Sequence, residues 1–156
     1  MILRAYRERD LEEILALFFR SVHIAAAADY TPAQLDAWAP ADPDRERWRA
    51  SLSAHFSLVA EEKGEIVGFG DADGNYLDRL YVAPERRGRG IGSAICGSLE
   101  EYARRTGAET MTVHASLTAK RFFGGRGYAE KERRTVERRG MLLTNFRMEK
   151  IFFGAR

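Results

Sequence analysis

The spacing of the apolar residues changes at Phe56, and this change limits the folds that the chain can adopt. Before Phe56 apolar residues recur at helical intervals, as in Leu11, Ile14, Leu15 and Phe18. After it they alternate, first in FSLVAEE and then in EIVGFGDAD, and the turn KGE joins these two segments as a hairpin. The order strand, helices and then several antiparallel strands predicts a mixed α/β (α+β) domain with helices packed on a mostly antiparallel sheet.

The predicted elements follow one another without a linker, an internal repeat or a low-complexity segment, so we expect residues 1–156 to form one domain. Asp10 and Thr31 are predicted helix N-caps, with Glu13 and Gln34 as their capping-box partners. Helices are expected over 11–25, 31–38, from residue 42 onward, 92–106 and, as a short helix, 118–128. Strands are expected over 2–6, 56–62, 65–73, from residue 76 onward, 109–116, 129–137 and 141–150.

Charge and composition exclude several classes of protein. The formal net charge of +2 gives no support for a nucleic-acid partner. The apolar runs are too short to span a membrane, and MILRAYRERDLEE lacks the apolar core of a secretory signal. Cys96 is the single cysteine, so the chain has no internal disulfide. We therefore expect a cytoplasmic protein without a membrane partner.

The segment RRGRGIG, residues 86–92, lies between a predicted strand and a predicted helix. A helix N-terminus has unpaired N–H groups and a partial positive charge, which together make it a binding site for phosphate. Glycines allow close approach of the backbone to a ligand, and arginines add charge-assisted hydrogen bonds to phosphate oxygens. The segment therefore predicts a ligand that carries phosphate.

Other classes of phosphate-binding protein fit this segment less well. The sequence has no G-x-x-x-x-G-K-[ST], which disfavours a P-loop NTPase. Gly88, Gly90 and Gly92 are spaced G-x-G-x-G, and no βαβ unit surrounds them, which disfavours a dinucleotide site. RNA-binding arginine–glycine segments are usually repeated and disordered, whereas this one is single and framed by regular elements. A nucleic-acid-binding domain is kept as the least favoured alternative.

The segment also carries a family resemblance. Arg87, Gly90 and Gly92 form R-x-x-G-x-G after LYVAP, and this resembles the acetyl-CoA-binding motif of the GCN5-related N-acetyltransferases (GNAT family). Segments that resemble other parts of the family are ILRAYRERDLEEILALF, LDRLYVAPERRGRGIGSAICGSLEEYARRTG and VHASLTAKRFFGGRGY. VERRGMLLTNFRMEK resembles the closing hairpin of a bacterial, YafP-like subgroup. The resemblance covers nearly the whole chain and implies a GNAT fold, with about six to seven strands and about four to five helices.

The resemblance implies that acetyl-CoA is the co-substrate. The backbone amides of the loop would hold the CoA pyrophosphate, and the pantetheine arm would pair with the fourth strand where it splays from the fifth. The residues implied to bind CoA are Leu80, Tyr81, Val82, Arg87, Gly88, Arg89, Gly90, Ile91, Gly92, Ser93, Ala119 and Phe123. No metal is expected, because no His/Cys cluster has metal-ligand spacing.

Acetyl transfer to an amine requires a polarised thioester carbonyl and a deprotonated amine. The resemblance implies that the amide of Val82 polarises the carbonyl. Asp78 is our first choice for the base, because it lies on the strand expected beside the acetyl group. Carboxylates are depleted in strands, so a carboxylate at this position indicates a function. An ion pair with an arginine, or plain exposure, is the other interpretation. Asp71 and Asp73 are weaker candidates, because their segment is predicted as a strand end and turn, and proton transfer through water is also open.

The sequence departs from the family pattern at Phe122 and Phe123, where many members have tyrosine in the second position. Phe123 cannot donate a proton to the leaving thiolate. Tyr81 is left as a candidate acid, as is Tyr128, although a core position is the preferred interpretation of Tyr128. A thiolate can also leave without a dedicated acid. The missing tyrosine favours the alternative of an acyl-CoA-binding or sensing module with little turnover.

The resemblance implies an acceptor pocket built by the first two helices and their connection. Its candidate residues are His23, Tyr30, Gln34 and Trp38, with core packing as the alternative for Tyr30 and Trp38. His114 is expected to be a hydrogen-bonded strand residue and His55 a surface residue. We expect acetylation of a primary amine on a small molecule or peptide, by direct attack in a ternary complex. The sequence does not identify the acceptor, and a homodimer through the C-terminal strands stays open.

Overall fold

A computed structural model describes residues 1–152 of the chain. Its helices are α1 Leu11–Arg20, α2 Pro32–Trp38, α3 Arg45–Ala54, α4 Ile91–Arg105 and α5 Lys120–Gly125. Its strands are β1 Ile2–Ala5, β2 Phe56–Glu62, β3 Glu65–Asp73, β4 Tyr76–Val82, β5 Thr110–Ser116, β6 Ala129–Arg138 and β7 Met141–Ile151. Within residues 1–152, no helix has both the length and the apolar content needed to cross a lipid bilayer.

The seven strands form one sheet in the order β1-β2-β3-β4-β5-β7-β6. Neighbouring strands are antiparallel except β4 and β5, which run parallel. This parallel pair has a register at Tyr76 with Thr112 and Leu77 with Val113, and the strands separate beyond those residues. The mixed, mostly antiparallel sheet with five helices confirms the predicted fold class.

The sheet has an apolar core on each face. On one face α4 packs Ile95 and Leu99 against β3 and β5, and on the other α1 packs Ile14 and Phe18 against Phe69 of β3. Gly70 allows the close approach of α4, because a Cβ there would lie 2.8 Å from Cγ2 of Ile95 and 2.9 Å from the carbonyl oxygen of Arg79. The position of α4, and of the loop before it, is therefore set by backbone packing.

A β-bulge in β4 changes the side-chain alternation of that strand. Asp71 pairs with Arg79 and Ala72 pairs with Leu77, so Asp78 has no partner in β3. A bulge redirects the side chains around it. Leu77 consequently packs in the core beneath α4, whereas Arg79 stacks over the ring of Trp48 on the other face.

The predicted start of α1 was partly wrong. The Asp10 side chain does not cap α1; it accepts a 2.8 Å hydrogen bond from the backbone N–H of Arg7 and two 2.9 Å bonds from the Arg4 guanidinium. Glu13 accepts from the backbone N–H of Ile66 at 2.7 Å instead of completing a capping box. A 3₁₀ turn before α1 shifts the cap, because Asp10 itself ends that turn. The capping box of Thr31 and Gln34 is confirmed.

Candidate active site

The arginine–glycine loop borders a cavity of about 540 Å³, which we call the loop cavity. Its remaining walls come from the end of β4, the π-helical turn after α1 and the start of α5. The expected CoA-binding residues that line it are Leu80, Tyr81, Val82, Arg87, Gly88, Gly90, Ile91, Gly92, Ser93 and Ala119. Arg89 and Phe123 do not line the loop cavity, and Phe122 lines it in place of Phe123.

The geometry of the loop suits a phosphate group. Gly88 and Gly90 have φ values of +79° and +81°, a region that favours glycine. Gly90 is the N-cap of the 15-residue helix α4, and no side chain caps its first turn. The N–H groups of that turn and the helix dipole are thus available to an anion. A Cβ on Gly92 would lie 3.4 Å from the ring of Phe122, so a side chain there would narrow the cavity.

The three arginines of the loop differ in their surroundings. Arg86 also lines the loop cavity, but its ion pairs with Glu62 and Glu65 neutralise its charge and hold it against the β2–β3 hairpin. Arg87 lines the loop cavity and donates a long 3.4 Å hydrogen bond to the carbonyl oxygen of Pro84. Arg89 is exposed. Arg87 is therefore the loop arginine best placed to contact a ligand in the cavity.

The end of β4 offers a backbone donor at the split between β4 and β5. The N–H of Ala83 donates to the carbonyl oxygen of Val67 in β3 at 2.9 Å. Because successive backbone groups of a strand point to opposite sides, the N–H of Val82 points away from β3, toward the split. The carbonyl oxygen of Val82 accepts a 2.9 Å hydrogen bond from Oγ of Ser21.

A second cavity of about 250 Å³, which we call the acceptor cavity, adjoins the loop cavity. The two cavities share a lining of Trp38, Leu80, Tyr81, Ser116 and Ala119. These residues lie in or next to the separated ends of β4 and β5, apart from Trp38 at the end of α2. A ligand in one cavity can therefore reach a ligand in the other at this split.

Asp78 lines the acceptor cavity, and its side chain is 33% exposed. Burial, and next the negative charge of Asp71, raises the pKa of the Asp78 carboxyl above its ordinary value. Its Oδ2 lies 3.7 Å from Nδ1 of His55 and 3.7 Å from Nη2 of Arg79. These distances are too long for hydrogen bonds, so the carboxylate can still bind a proton or an ammonium group.

Asp71 lies beside Asp78 and is fully buried, with a 0% exposed side chain. It accepts hydrogen bonds from Nε and Nη2 of Arg79 at 3.0 and 2.6 Å, and its Oδ2 lies 2.7 Å from Nδ1 of His55. The strand predicted over 65–73 is confirmed as β3, with Asp71 two residues before its end. The surface position expected for His55 was wrong, because its side chain packs against this network with 15% exposure.

Sequence analysis did not predict that the side chains of His55, Asp71 and Asp78 lie close together. One potential ligand atom from each lies within 4.8 Å of the others, a spacing that could hold a metal ion. The guanidinium of Arg79, however, contacts both oxygens of Asp71. A cation at this position would meet a like charge, so the cluster is better described as an ion-pair network.

The tyrosines considered as the acid have different positions. Tyr81 lines both cavities, and burial raises the pKa of its phenol well above the usual range, so the hydroxyl remains protonated and can donate a hydrogen bond. Tyr128 is buried and donates to Oε2 of Glu100 at 2.8 Å, away from both cavities. The ring of Phe123 packs on Tyr128 with centroids 5.2 Å apart, and Phe123 borders the acceptor cavity.

The structure separates the residues expected to bind the acceptor. Tyr30 and Trp38 line the acceptor cavity, with ring centroids 5.3 Å apart. His23 and Gln34 line neither cavity, which corrects their assignment. His23 stacks on Phe19 at 4.1 Å, with Nε2 2.8 Å from the carbonyl oxygen of Ala39. Gln34 is held in the capping box and donates to the carbonyl oxygen of Leu142 at 2.9 Å.

Sequence reasoning missed several residues of the acceptor cavity, notably Trp48, Arg138 and Asn145. They belong to α3 and to the β6–β7 hairpin, which are far apart in the chain. β6 is rich in arginine and has the sequence AEKERRTVER. Its period-two spacing was the signal that one face could point toward a site.

Comparisons with known proteins agree with this geometry. Residues 26–150 match the family model called acetyltransferase (GNAT) domain. The chain is 36% identical over 146 residues to YafP of Escherichia coli strain K12, called an uncharacterized N-acetyltransferase; the match covers 94% of this chain and 93% of YafP. A GCN5-related N-acetyltransferase from Rhodopseudomonas palustris is 38% identical with a TM-score of 0.94, over 97% of this chain and 95% of that one. The PaiA N-acetyltransferase of Thermoplasma acidophilum, in complex with coenzyme A, shares the fold at 18% identity with a TM-score of 0.79, over 97% of this chain and 98% of that one.

Proposed function

This chain belongs to the GNAT family of N-acetyltransferases, and from that premise we propose that it transfers acetyl from acetyl-CoA to a primary amine by direct attack in a ternary complex. The proposal depends on one observation, that the loop cavity and the acceptor cavity meet at the split between β4 and β5. A thioester in the first cavity and an amine in the second would be held close together, which lowers the entropic cost of their reaction.

The loop cavity fits CoA by its chemistry. The uncapped first turn of α4 and the backbone amides from Arg87 to Ser93 would hold the pyrophosphate. The side of β4 that has separated from β5 would pair with the pantetheine arm at Leu80 and Val82. Phe122 and Ala119 would pack on the arm from the opposite wall. The resemblance of the fold to a CoA-bound PaiA supports this assignment.

In the proposed step Asp78 first takes a proton from the substrate ammonium, a role that its raised pKa favours. The amine nitrogen then attacks the thioester carbonyl carbon and forms a C–N bond, while the N–H of Val82 donates to the carbonyl oxygen, where negative charge develops. The C–S bond breaks, and its electron pair leaves with the sulfur. The hydroxyl of Tyr81 donates a hydrogen bond to the departing thiolate. The attacking nitrogen loses its second proton as the amide forms, and this proton passes through solvent to the thiolate.

A second candidate function is an acyl-CoA-binding or sensing module with little turnover. The observation that favours it is Phe123, which stands where many family members have a tyrosine and which lies in the core next to Tyr128. The position of Tyr81 at the junction of the cavities favours the enzyme instead. The buried free thiol of Cys96 is compatible with the proposed cytoplasmic location.

Calorimetric titration with acetyl-CoA tests the proposal. We expect micromolar binding, about −8 kcal/mol, and a loss of at least tenfold in affinity for an Arg87→Ala/Gly90→Ala variant. Arg105→Ala is the matched control, because Arg105 is exposed at the far end of α4 and should leave the affinity unchanged. Absence of binding by the native protein would refute the assignment of the loop. Binding without thiol release across a broad amine panel would favour the sensing module.

A further inference from the structure

The acceptor cavity has charges of opposite sign on its two sides. Asp78 lies on β4 beside Arg79, whose charge is paired with the buried Asp71, whereas Arg138 and Asn145 line the wall made by β6 and β7. Arg134 lies on the same face of β6 as Arg138, since side chains alternate along a strand, and it pairs with Asn145 across the ladder. β6 is three strand positions from β4, roughly 14 Å at the usual spacing between strands.

The basic wall contains polar groups that lack a protein partner. Arg147 is neutralised by Glu132, with Nε 3.6 Å from Oε1. Within residues 1–152, by contrast, Nη1 of Arg134 and Oδ1 of Asn145 are buried without a hydrogen-bond partner. Arg138 donates from Nη1 to the backbone carbonyl oxygen of Glu137 at 3.0 Å, which leaves its charge unpaired by that contact. Buried polar atoms usually have a partner. The arginine N–H groups can donate to an anionic ligand group, whereas Oδ1 of Asn145 only accepts and would need an N–H or O–H group of the ligand.

Two titratable groups, Tyr76 and His114, lie between the walls, and their pKa values reflect the charges around them. Burial and then Asp78 raise the pKa of the Tyr76 phenol, while Arg134 and Arg138 act in the opposite direction. Burial, followed by the charges of Arg134 and Arg147, lowers the pKa of His114, so its imidazole is neutral at neutral pH. Nδ1 of His114 lies 3.1 Å from the Tyr76 hydroxyl, and neither group supplies a charge to the cavity. The potential therefore changes from negative at Asp78 to positive at the arginines.

The region between the charged walls is largely aromatic. The rings that line it are Phe18, Tyr30, Trp38, Trp48 and Tyr76. Such a lining favours an apolar segment between two charged groups of a ligand. A volume of about 250 Å³ restricts that ligand, or the part of it that enters, to a small size.

We propose that the acceptor is a small zwitterionic amine, with its ammonium at Asp78 and an anionic group, several bonds away, at Arg138, which shares its face of β6 with Arg134. This inference rests on the proposed acetyltransferase function and narrows its substrate class. An ω-amino acid or the N-terminus of a very short peptide has this arrangement. A simple alkylamine or a polyamine has no group for the arginines and would leave their charges uncompensated.

The test compares each amino acid with its own carboxamide, which keeps the size of the compound and removes its negative charge. The panel is β-alanine, γ-aminobutyrate, ε-aminocaproate and their carboxamides, and thiol release from acetyl-CoA is the readout. We expect kcat/KM to be at least tenfold higher for the acid of the best pair, as charge-assisted hydrogen bonds predict. In Arg134→Met and Arg138→Met the ratio of acid to carboxamide should fall toward one. Arg133→Met is the control, because Arg133 lies at an alternate position of β6 and its side chain is on the opposite face from Arg134 and Arg138.

The outcomes separate this inference from the proposed function. Equal or faster turnover of the carboxamides by the native protein would overturn the zwitterion inference and leave the acetyltransferase intact. If acetyl-CoA binds but no amine releases thiol, the proposed turnover fails, and calorimetry of the same pairs in the presence of CoA decides the inference. Tighter binding of the acid, lost in the Arg134 and Arg138 variants but not in Arg133→Met, would then support it. Equal binding of acid and carboxamide would refute it.

Discussion

Replacing Asp71 by asparagine tests whether the buried ion-pair network beside the proposed base stabilises the fold as much as its contacts indicate. Asparagine has the shape of aspartate but no charge and only one acceptor oxygen. The native carboxylate is fully buried and contacts three donor atoms: Nε and Nη2 of Arg79 and Nδ1 of His55. The substitution therefore removes at least one hydrogen bond and leaves the charge of Arg79 without its main partner.

The expected loss of stability follows from these contacts. Removal of one partner of a buried ion pair costs about 3–5 kcal/mol, because the other charge stays desolvated. Asp78 lies 3.7 Å from Nη2 of Arg79 and can replace part of the lost interaction, so we expect the lower end, about 3 kcal/mol. For a domain of this size that corresponds to a fall in Tm of roughly 6–12 °C.

Urea unfolding followed by circular dichroism measures this loss. Asp73→Asn is the matched control, because the Asp73 side chain is 74% exposed and 3.9 Å from Nε2 of His55. It should change stability by less than about 0.5 kcal/mol. If Asp71→Asn unfolds within 1 kcal/mol of the native protein, roughly the scatter of ordinary substitutions, then the buried network does not hold β3 and β4 as inferred.

The same variant changes the pH dependence of the reaction. Part of the raised pKa of Asp78 comes from the charge of Asp71, after burial. Asp71→Asn removes that repulsion and frees Arg79 to attract Asp78, and both effects lower the pKa of Asp78. Because the base acts in its deprotonated form, the acidic limb of kcat/KM against pH should move to lower pH. An unchanged limb would show that Asp78 is not the group titrating there.

Two further substitutions address the base and the core. Asp78→Asn should lower kcat by about 10²–10⁴-fold, because it removes the proposed base. It should cause no loss of stability at neutral pH, because a carboxyl with a raised folded pKa stabilises the fold at low pH and loses that contribution as pH rises through the folded pKa. A kcat within a few-fold of native in a thiol-release assay would exclude Asp78 as the base. Glu100→Gln should lower Tm, because Glu100 accepts 2.8 Å hydrogen bonds from both Tyr128 and Arg126. Burial by itself would raise the pKa of Glu100, but these hydrogen bonds outweigh it and hold the pKa below the ordinary value. A carboxyl with a lowered pKa loses its stabilising contribution in acid, so the difference in Tm between Glu100→Gln and the native protein should shrink as pH falls, and a constant difference would contradict this account.

The regular elements were predictable because local signals agree. Period-two and helical spacing placed all seven strands and five helices, and Thr31 capped its helix as expected. Asp10 failed as a cap because Arg4, which precedes it in β1, and the backbone of Arg7 compete for its oxygens. Such competition depends on how β1 approaches the first helix, and no local pattern records it.

The candidate site was only partly predictable. The segment from Arg87 to Ser93 could be assigned to a phosphate because glycine, arginine and a following helix act locally. His23 and Gln34 were misassigned, because their side chains are bound to Ala39, Thr31 and Leu142 rather than directed into a cavity. The sequence shows on which helix or connecting segment a residue lies, but not the direction in which its side chain points.

The order of the elements, the glycine-rich helix start and the family could be inferred from the sequence, since each depends on residues close together in the chain or on many aligned positions. The charges that meet in the acceptor cavity, in contrast, could be identified only from the folded structure. The bulge at Asp78 and the convergence of β4, β6 and β7 bring together groups that are about sixty residues apart. Charges interact through space rather than along the chain, so their arrangement exists only after the sheet has formed.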